Sequence, residues 1–488
     1  MSLRQKAAKG IVWSVIQKWG KEAISALNLM ILTRLLGPEA FGLVALATVF
    51  TDFLDIFVDQ GFGAAIVQRS NLEREHLDTA FWTSLFIGIL LAVGTTAASG
   101  LVATFFQEPR LAFVLSWLSI GFIFGALSST QIAILQRKLA FKSLAARSMT
   151  AKTAGGIVGV SLALAGFGIW SLVALTLVTD LAAAIVLWRI SDWRPGFNLS
   201  KKHFKELFTF GVSVTGNNIL SQAVRHSDDF LIGYFLGPTL LGYYTVGYRL
   251  LLVILRLVTG IMNAVAFPTF SRLQLDPKRM LRAFYQVTQY TSLLAFPVFI
   301  GLSILAPELI PALFGEKWAP SIPVMQILAL FGILQSVLAF NGTVMRASGK
   351  PSWQFAIMLL NAICNVIGFL VVVHWGIVAV AASLVVVSYL LAPISYLAVR
   401  KLIRVNTGIY LRQYVAPLSA ALIMVLVIVG LKQVLQGQGL NLYLQLSVYL
   451  TAGVLSYLLV IVLSARALSR QVLELMRLTF PIWKFKKT

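Results

Sequence analysis

The chain has 488 residues, 58% of them hydrophobic and only 12% charged, with a mean hydropathy of +0.84. Soluble proteins carry about twice that charged share, and no soluble fold could bury so much apolar surface. Water-soluble enzymes, nucleic-acid binders and disulfide scaffolds are excluded, and a polytopic membrane protein remains. The net charge of +22 fits Lys and Arg gathered in cytoplasmic loops. The single cysteine, Cys364 in the apolar run 361–365, permits neither an intrachain disulfide nor a thiolate metal cluster.

A transmembrane helix needs about 20 mostly apolar residues, and the sequence offers fourteen such segments. In chain order they fall at about 10–34, 40–65, 79–103, 111–135, 145–166, 168–189, 207–235, 240–268, 283–306, 321–345, 352–374, 376–399, 413–434 and 442–465. An even number places both termini on one side. With that side cytoplasmic, the inward loops and the two tails hold 30 of the 40 Lys and Arg, including Arg147. The outward loops hold four (Arg34, Arg110, Lys317 and Lys432), and six lie inside spans. The longest outward loop runs over about 307–320, so no extramembrane domain is expected. The basic tail 466–488 ends in Trp483-Lys-Phe-Lys-Lys487, a pattern suited to an anionic lipid surface.

The turns after spans 1 and 7 repeat each other. Leu36-Gly-Pro-Glu-Ala-Phe-Gly42 and Leu236-Gly-Pro-Thr-Leu-Leu-Gly242 share the pattern L-G-P-x-x-x-G, 200 residues apart. Glycine suits the end of a helix, proline prevents its continuation, and the second glycine suits close packing of the next helix. The repeat divides the chain into an N-terminal lobe at 1–190 (spans 1–6) and a second lobe at 207–400 (spans 7–12). A cytoplasmic linker at 191–206 joins them, and spans 13 and 14 follow at 401–465. Paired six-helix lobes are a transporter architecture with the path between them. The expected fold is thus an all-α integral membrane protein of about fourteen helices.

A charge at the bilayer centre costs about 2.5–3.5 kcal/mol even on lenient insertion scales, so each needs a reason. Eleven of the thirteen intramembrane charges lie on spans 1, 2, 7 and 8, which flank the repeated turns; Lys152 and Asp180 are the other two. This concentration marks one polar cavity. Asp52, Asp55 and Asp59 fall at i, i+3 and i+7 on one helix face, and Arg249 and Arg256 are seven apart with Asn263 continuing their stripe. Arg225, Asp228 and Asp229 cluster on span 7, and Lys18 and Glu22 form an i, i+4 pair. Lys18, Lys21, Arg225, Arg249, Arg256 and Asn263 are the candidate substrate-binding residues, because a guanidinium holds phosphate oxygens bidentately in a dry site. Asp52, Asp55, Asp228 and Asp229 are the candidate ion-coupling residues, with Lys18 and Lys21 expected near Asp52 and Asp55. Static salt bridges are the structural alternative for all of them.

No phosphate-binding loop occurs, since Ser348-Gly-Lys-Pro351 lacks the spacing, and no catalytic residues are expected. The four histidines are scattered without metal-ligand spacing; only His226 lies in a span, where a proton-relay role is open to it.

Leu35-Leu-Gly-Pro-Glu-Ala-Phe-Gly-Leu-Val-Ala45, Gly61-Phe-Gly-Ala-Ala-Ile-Val-Gln-Arg69, Asp78-Thr-Ala-Phe-Trp82 and Phe267-Pro-Thr-Phe-Ser-Arg-Leu273 resemble bacterial polysaccharide flippases. These Wzx-type exporters belong to the MOP superfamily, with the MATE drug exporters and the lipid II flippase. The resemblance covers about the first 280 residues. It implies two bundles rocking about a cavity lined by spans 1, 2, 7 and 8, in the bacterial inner membrane. It also implies an undecaprenyl-diphosphate-linked oligosaccharide as cargo and an H⁺ or Na⁺ gradient as energy source, with no other cofactor. Membrane lipids and a polysaccharide polymerase or export machinery are the partners expected, and nucleic acid is not. Two alternatives stand beside this reading: a MATE-like exporter of small organic cations, and an integral membrane polysaccharide polymerase or ligase.

Overall fold

The computed structural model describes residues 3–464 except 275; of residues 3–18, 217, 261–265 and 267–268 it describes the backbone alone. Lys18, Asn263 and the tail 466–488 therefore lie outside the described side chains. Among the described residues there are sixteen α-helices, two short 3-10 turns and no strand. The helices are α1 (Leu3–Leu35), α2 (Pro38–Asp59), α3 (Phe62–Gln68), α4 (Arg74–Phe105), α5 (Arg110–Leu118), α6 (Gly121–Arg137), α7 (Phe141–Leu164) and α8 (Trp170–Ile190). They continue as α9 (Lys201–Arg272), α10 (Pro277–Phe314), α11 (Ser321–Leu338), α12 (Asn341–Ala347), α13 (Pro351–Val372), α14 (Ile377–Ile403), α15 (Thr407–Leu435) and α16 (Leu442–Ser464).

Every apolar segment read from the sequence is helical, but the breaks differ. Span 2 ends early because Gln60 and Gly61 both turn left-handed, at φ of 50° and 74°, after which α3 starts afresh. The range of α9 covers spans 7 and 8, two helices broken at Gly237 where the sequence placed their turn; its φ of 80° suits glycine alone. Eleven helices among the described residues are long and apolar enough to cross a membrane. In that set α9 counts once, and α1 and α7 are absent from it.

The outward surface is greasy. On α16 the buried residues Leu446, Tyr449, Gly453, Tyr457 and Ile461 recur at helical spacing, while Leu450, Val454, Leu455, Leu458 and Val462 lie exposed on the other faces. In water that belt would drive aggregation; facing lipid it costs nothing.

The chain packs as two compact units. The first comprises Met1–Val253, Leu313–Val324 and Leu359–Leu384, and the second Ile254–Ala312, Met325–Met358 and Val385–Thr488. By packing, the start of α9 thus groups with the N-terminal helices, although the sequence repeat assigns it to the second lobe.

In the first unit, α7 is seated by a stripe of small residues. Gly155 and Gly159 meet the Leu175 region of α8, and Gly156 lies under Asn28 of α1, whose amide donates to the Lys152 carbonyl at 3.3 Å. Helices in lipid associate by such close backbone approach. Residues 313–321 fold back over the repeated turns. There the fully buried Trp318 donates to the Thr33 carbonyl at 2.8 Å and meets the rings of Phe41 and Tyr243 edge-on.

The second unit is built on α10, α12, α14 and α15. Phe284 stacks on Tyr410 with ring centroids 5.8 Å apart, beside Phe270, Phe340 and Val344. Lys432 bridges to Glu308 at 2.8 Å and also donates to the Ile304 carbonyl, so a residue sorted to an outward loop is tied into the helix packing.

Candidate functional site

The site begins with the acidic face of α2. Asp52, Asp55 and Asp59 line an open cavity of about 600 Å³, together with Gly121 and Gly125 of α6, Arg147 of α7 and Asp180 of α8. Glycine makes room for the carboxylates: a Cβ on Gly125 would stand 3.2 Å from an Asp55 oxygen, and one on Gly121 3.5 Å from an Asp180 oxygen. Asp52, Asp59 and Asp180 are all within electrostatic range of Asp55. Arg147, sorted from the sequence to a basic loop, instead lies along α7 and faces this cavity beside Asp180. The same three α2 acids also border a second cavity of about 340 Å³, closed by Asn218, Ser221, Gln222 and Arg225 of α9. Asp59 has a local duty as well, accepting from the Gly63 N–H at 3.1 Å across the α2–α3 break.

Between α2 and α9 stands His226. Its Nε2 is 3.3 Å from an Asp52 oxygen, and its Nδ1 is 3.5 Å from an Asp229 oxygen one turn along the same helix. The other side of this group borders an apolar cavity of about 430 Å³ walled by Phe50, Phe53, Phe230 and Val366. Asp228 points elsewhere: buried, it accepts from the Tyr244 hydroxyl at 2.7 Å and from the Asp229 N–H at 3.0 Å, which ties the two limbs of α9 across the Gly237 break. Arg249, beyond that break, is within electrostatic range of Asp229 and Asp52.

Of the sequence-derived candidates, the structure brings Asp52, Asp55 and Arg225 to one cavity, sets Asp52 and Asp229 beside His226, and puts Arg249 within electrostatic range of those two acids. Asp228 is not in that group. Lys21 lies within electrostatic range of Lys152, and the imidazole of His226 lies beside Asp52. Arg256 is exposed on the same helix in the second unit. His226, to which the sequence left a proton-relay role open, also stands at i, i+3 to Asp229.

The two repeated turns meet. A Cβ on Gly42 would overlap the Pro238 carbonyl oxygen, and a Cβ on Gly242 would overlap the Pro38 carbonyl oxygen. Each second glycine therefore permits close approach of the other copy of its own motif. Toward the other end of α2, Gly61 and Gly211 make a similar approach, with the Gly211 carbonyl 2.7 Å from where a Gly61 Cβ would stand.

Past this contact the start of α9 is fastened to α4. Glu206 accepts from Arg69 at 2.5 Å and from His76 at 3.0 Å, and His203 lies 3.1 Å from Glu73. The histidines read as scattered are in fact partly gathered, with the His76 and His203 rings 4.2 Å apart. Their donor types would suit Zn²⁺, but the hydrogen bonds disagree. The Glu73 backbone N–H donates to His76 Nδ1, so Nε2 carries the ring proton and gives it to Glu206, leaving no lone pair there for a metal. The Asp78–Trp82 motif holds the linker: Asp78 accepts from the Gly196 N–H at 3.0 Å, and Trp82 donates to the Gly196 carbonyl at 2.7 Å.

Comparison with known proteins agrees with this architecture. The chain is 29% identical over 483 residues to the succinoglycan biosynthesis transport protein ExoT of Rhizobium meliloti, covering 97% of this chain and 96% of ExoT. It is 26% identical over 472 residues to the teichuronic acid biosynthesis protein TuaB of Bacillus subtilis, covering 94% and 96% respectively. Its fold matches the lipid II flippase MurJ in an inward closed conformation with a TM-score of 0.76 at 15% identity, over 94% of this chain and 99% of MurJ. Residues 31–323 match the model of the polysaccharide biosynthesis protein family, and the chain belongs to that family.

Proposed function

We propose that the protein is a flippase carrying undecaprenyl-diphosphate-linked oligosaccharide across the bacterial inner membrane by alternating access, for exopolysaccharide or O-antigen synthesis. It works as a secondary transporter coupled to H⁺ or Na⁺, without catalytic chemistry of its own and with both termini cytoplasmic. One observation carries the reading: in a chain of this family, otherwise apolar, polar cavities and compensating charges converge on α2 and α9, beside two turns that touch. Reconstituted protein is expected to move a fluorescent undecaprenyl-diphosphate oligosaccharide between leaflets, and liposomes showing no transfer above protein-free controls would refute the reading.

The acid-dominated cavity favours a second reading, a MATE-like exporter of small organic cations; dye efflux from the same liposomes tests it. A polymerase or ligase has less support, because residues 313–321 pack over the turns instead of framing an active site.

Coupling is assigned to the α2 acids. Asp55→Asn is expected to leave the protein in the membrane with unchanged or slightly raised thermal stability, since it removes one of several neighbouring like charges. Export should lose its dependence on the ion gradient while cargo still binds. Were Asp55 a static bridging residue, the same change would instead lower the melting temperature and spare coupling.

A further inference from the structure

We infer that His226 is a proton-operated clasp between α2 and α9, which closes when the imidazole is charged and opens when it is neutral. The inference rests on the transport reading above and adds the identity of the coupling ion, a proton, and an α9 residue that shares it with the α2 acids.

Each imidazole nitrogen has a carboxylate at ion-pair distance, Asp52 of α2 at 3.3 Å and Asp229 of α9 at 3.5 Å, although neither is aligned as a hydrogen bond. A neutral imidazole has one N–H and one lone pair, so it serves one carboxylate and repels the other. Only the imidazolium serves both. The His226 and Asp229 side chains are each 15% exposed, so little water is at hand to replace the lost contact. Asp52 is 44% exposed and borders both polar cavities, which gives the proton a route.

The other charges around His226 set the balance. On α2 they are Asp52 and, one turn along, Asp55; on α9 they are Arg225, Asp228 held by Tyr244, Asp229, and Arg249 beyond the break. The α13 side contributes only the apolar Val366. With His226 charged, Asp52 and Asp229 are matched by His226 and Arg249. Loss of the proton leaves Arg249 alone to offset both Asp52 and Asp229, so one negative charge goes unmatched at the α2–α9 seam, and the seam separates.

In this structure the ion-pair distances coexist with touching turns. Protonation therefore favours the state closed at the turn face. A proton taken up from that face would close it and return the empty carrier, while cargo leaves in the opposite direction.

The test uses full-length protein in nanodiscs with Cys364→Ser, Ala40→Cys and Leu240→Cys, spin-labelled at the two new thiols. The short-distance population is expected to grow as pH falls, at most about tenfold per pH unit, the limit for one proton. His226→Gln should abolish that pH response, and His226→Lys, which keeps a charge, should hold the short distance across the range. A pH-independent distance in the parent, or an unaltered response in His226→Gln, would overturn the clasp. The readout needs no cargo, so failure of the flipping assay and failure of the clasp are separate results.

Discussion

Arg249→Ala and Arg256→Ala are each expected to cut surface polysaccharide about ten- to hundredfold while the protein remains in the membrane. The two guanidinium groups are seven residues apart on the second limb of α9, hence on one helix face. A charge-assisted hydrogen bond contributes about 1.5–3 kcal/mol, which sets that range if the contact to a cargo diphosphate is made in the rate-limiting state. Arg249 has a second duty, since it helps to offset Asp229 and Asp52. Its alanine variant should therefore respond differently to pH, whereas the Arg256 variant should not. Arginine-to-lysine replacement is expected to restore only part of the activity, because lysine offers a point charge without the planar fork. Normal polysaccharide from both alanine variants would remove these residues from the cargo site.

A covalent bridge between the turns should arrest the cycle. Leu36–Gly42 and Leu236–Gly242 are in contact here, so Ala40→Cys and Leu240→Cys, in a Cys364→Ser background, are expected to react with short bifunctional reagents in this state. Export should stop on bridging and return on reduction of a cleavable linker. Replacing Gly242 by valine tests the same contact from the other direction, since the added carbons would strike the Pro38 carbonyl. That variant should lose the closed state and the short spin-label distance. If every bridge that forms leaves export untouched, the turns do not move apart during transport.

Much of this was legible in the sequence, for physical reasons. Apolar runs of membrane-spanning length have few alternatives to helix in lipid, so the all-α class was legible, and eleven helices among the described residues are long and apolar enough to cross a membrane. The repeated L-G-P-x-x-x-G motif marked two turns expected to approach each other, and in the structure the backbone of each meets the other. Periodicity placed Asp52, Asp55 and Asp59 on one face and so found the cavity wall. What periodicity does not give is the identity of the facing residue on a distant helix. For Asp52 the facing residue that α9 supplies is His226, which no spacing on α2 indicates. The same limit hid Arg147, one turn inside α7, and the pairing of His76 with His203, which are 127 positions apart. The stop that glycine beside proline reads as is present in the structure, where the Gly237 backbone leaves the helical region between the two limbs of α9.

The meeting of the two turns has a consequence for leakage. Gates made of side chains open a little whenever a rotamer flips, and each such flicker admits a file of water along which protons can hop. At Gly42 and Gly242 the opposed surfaces are main chain on main chain, with no side chain of their own to swing aside. In the proposed ion-coupled cycle such a seam, while shut, would pass fewer protons than a gate of side chains, because its closure is set by peptide geometry that thermal motion of side chains does not reach.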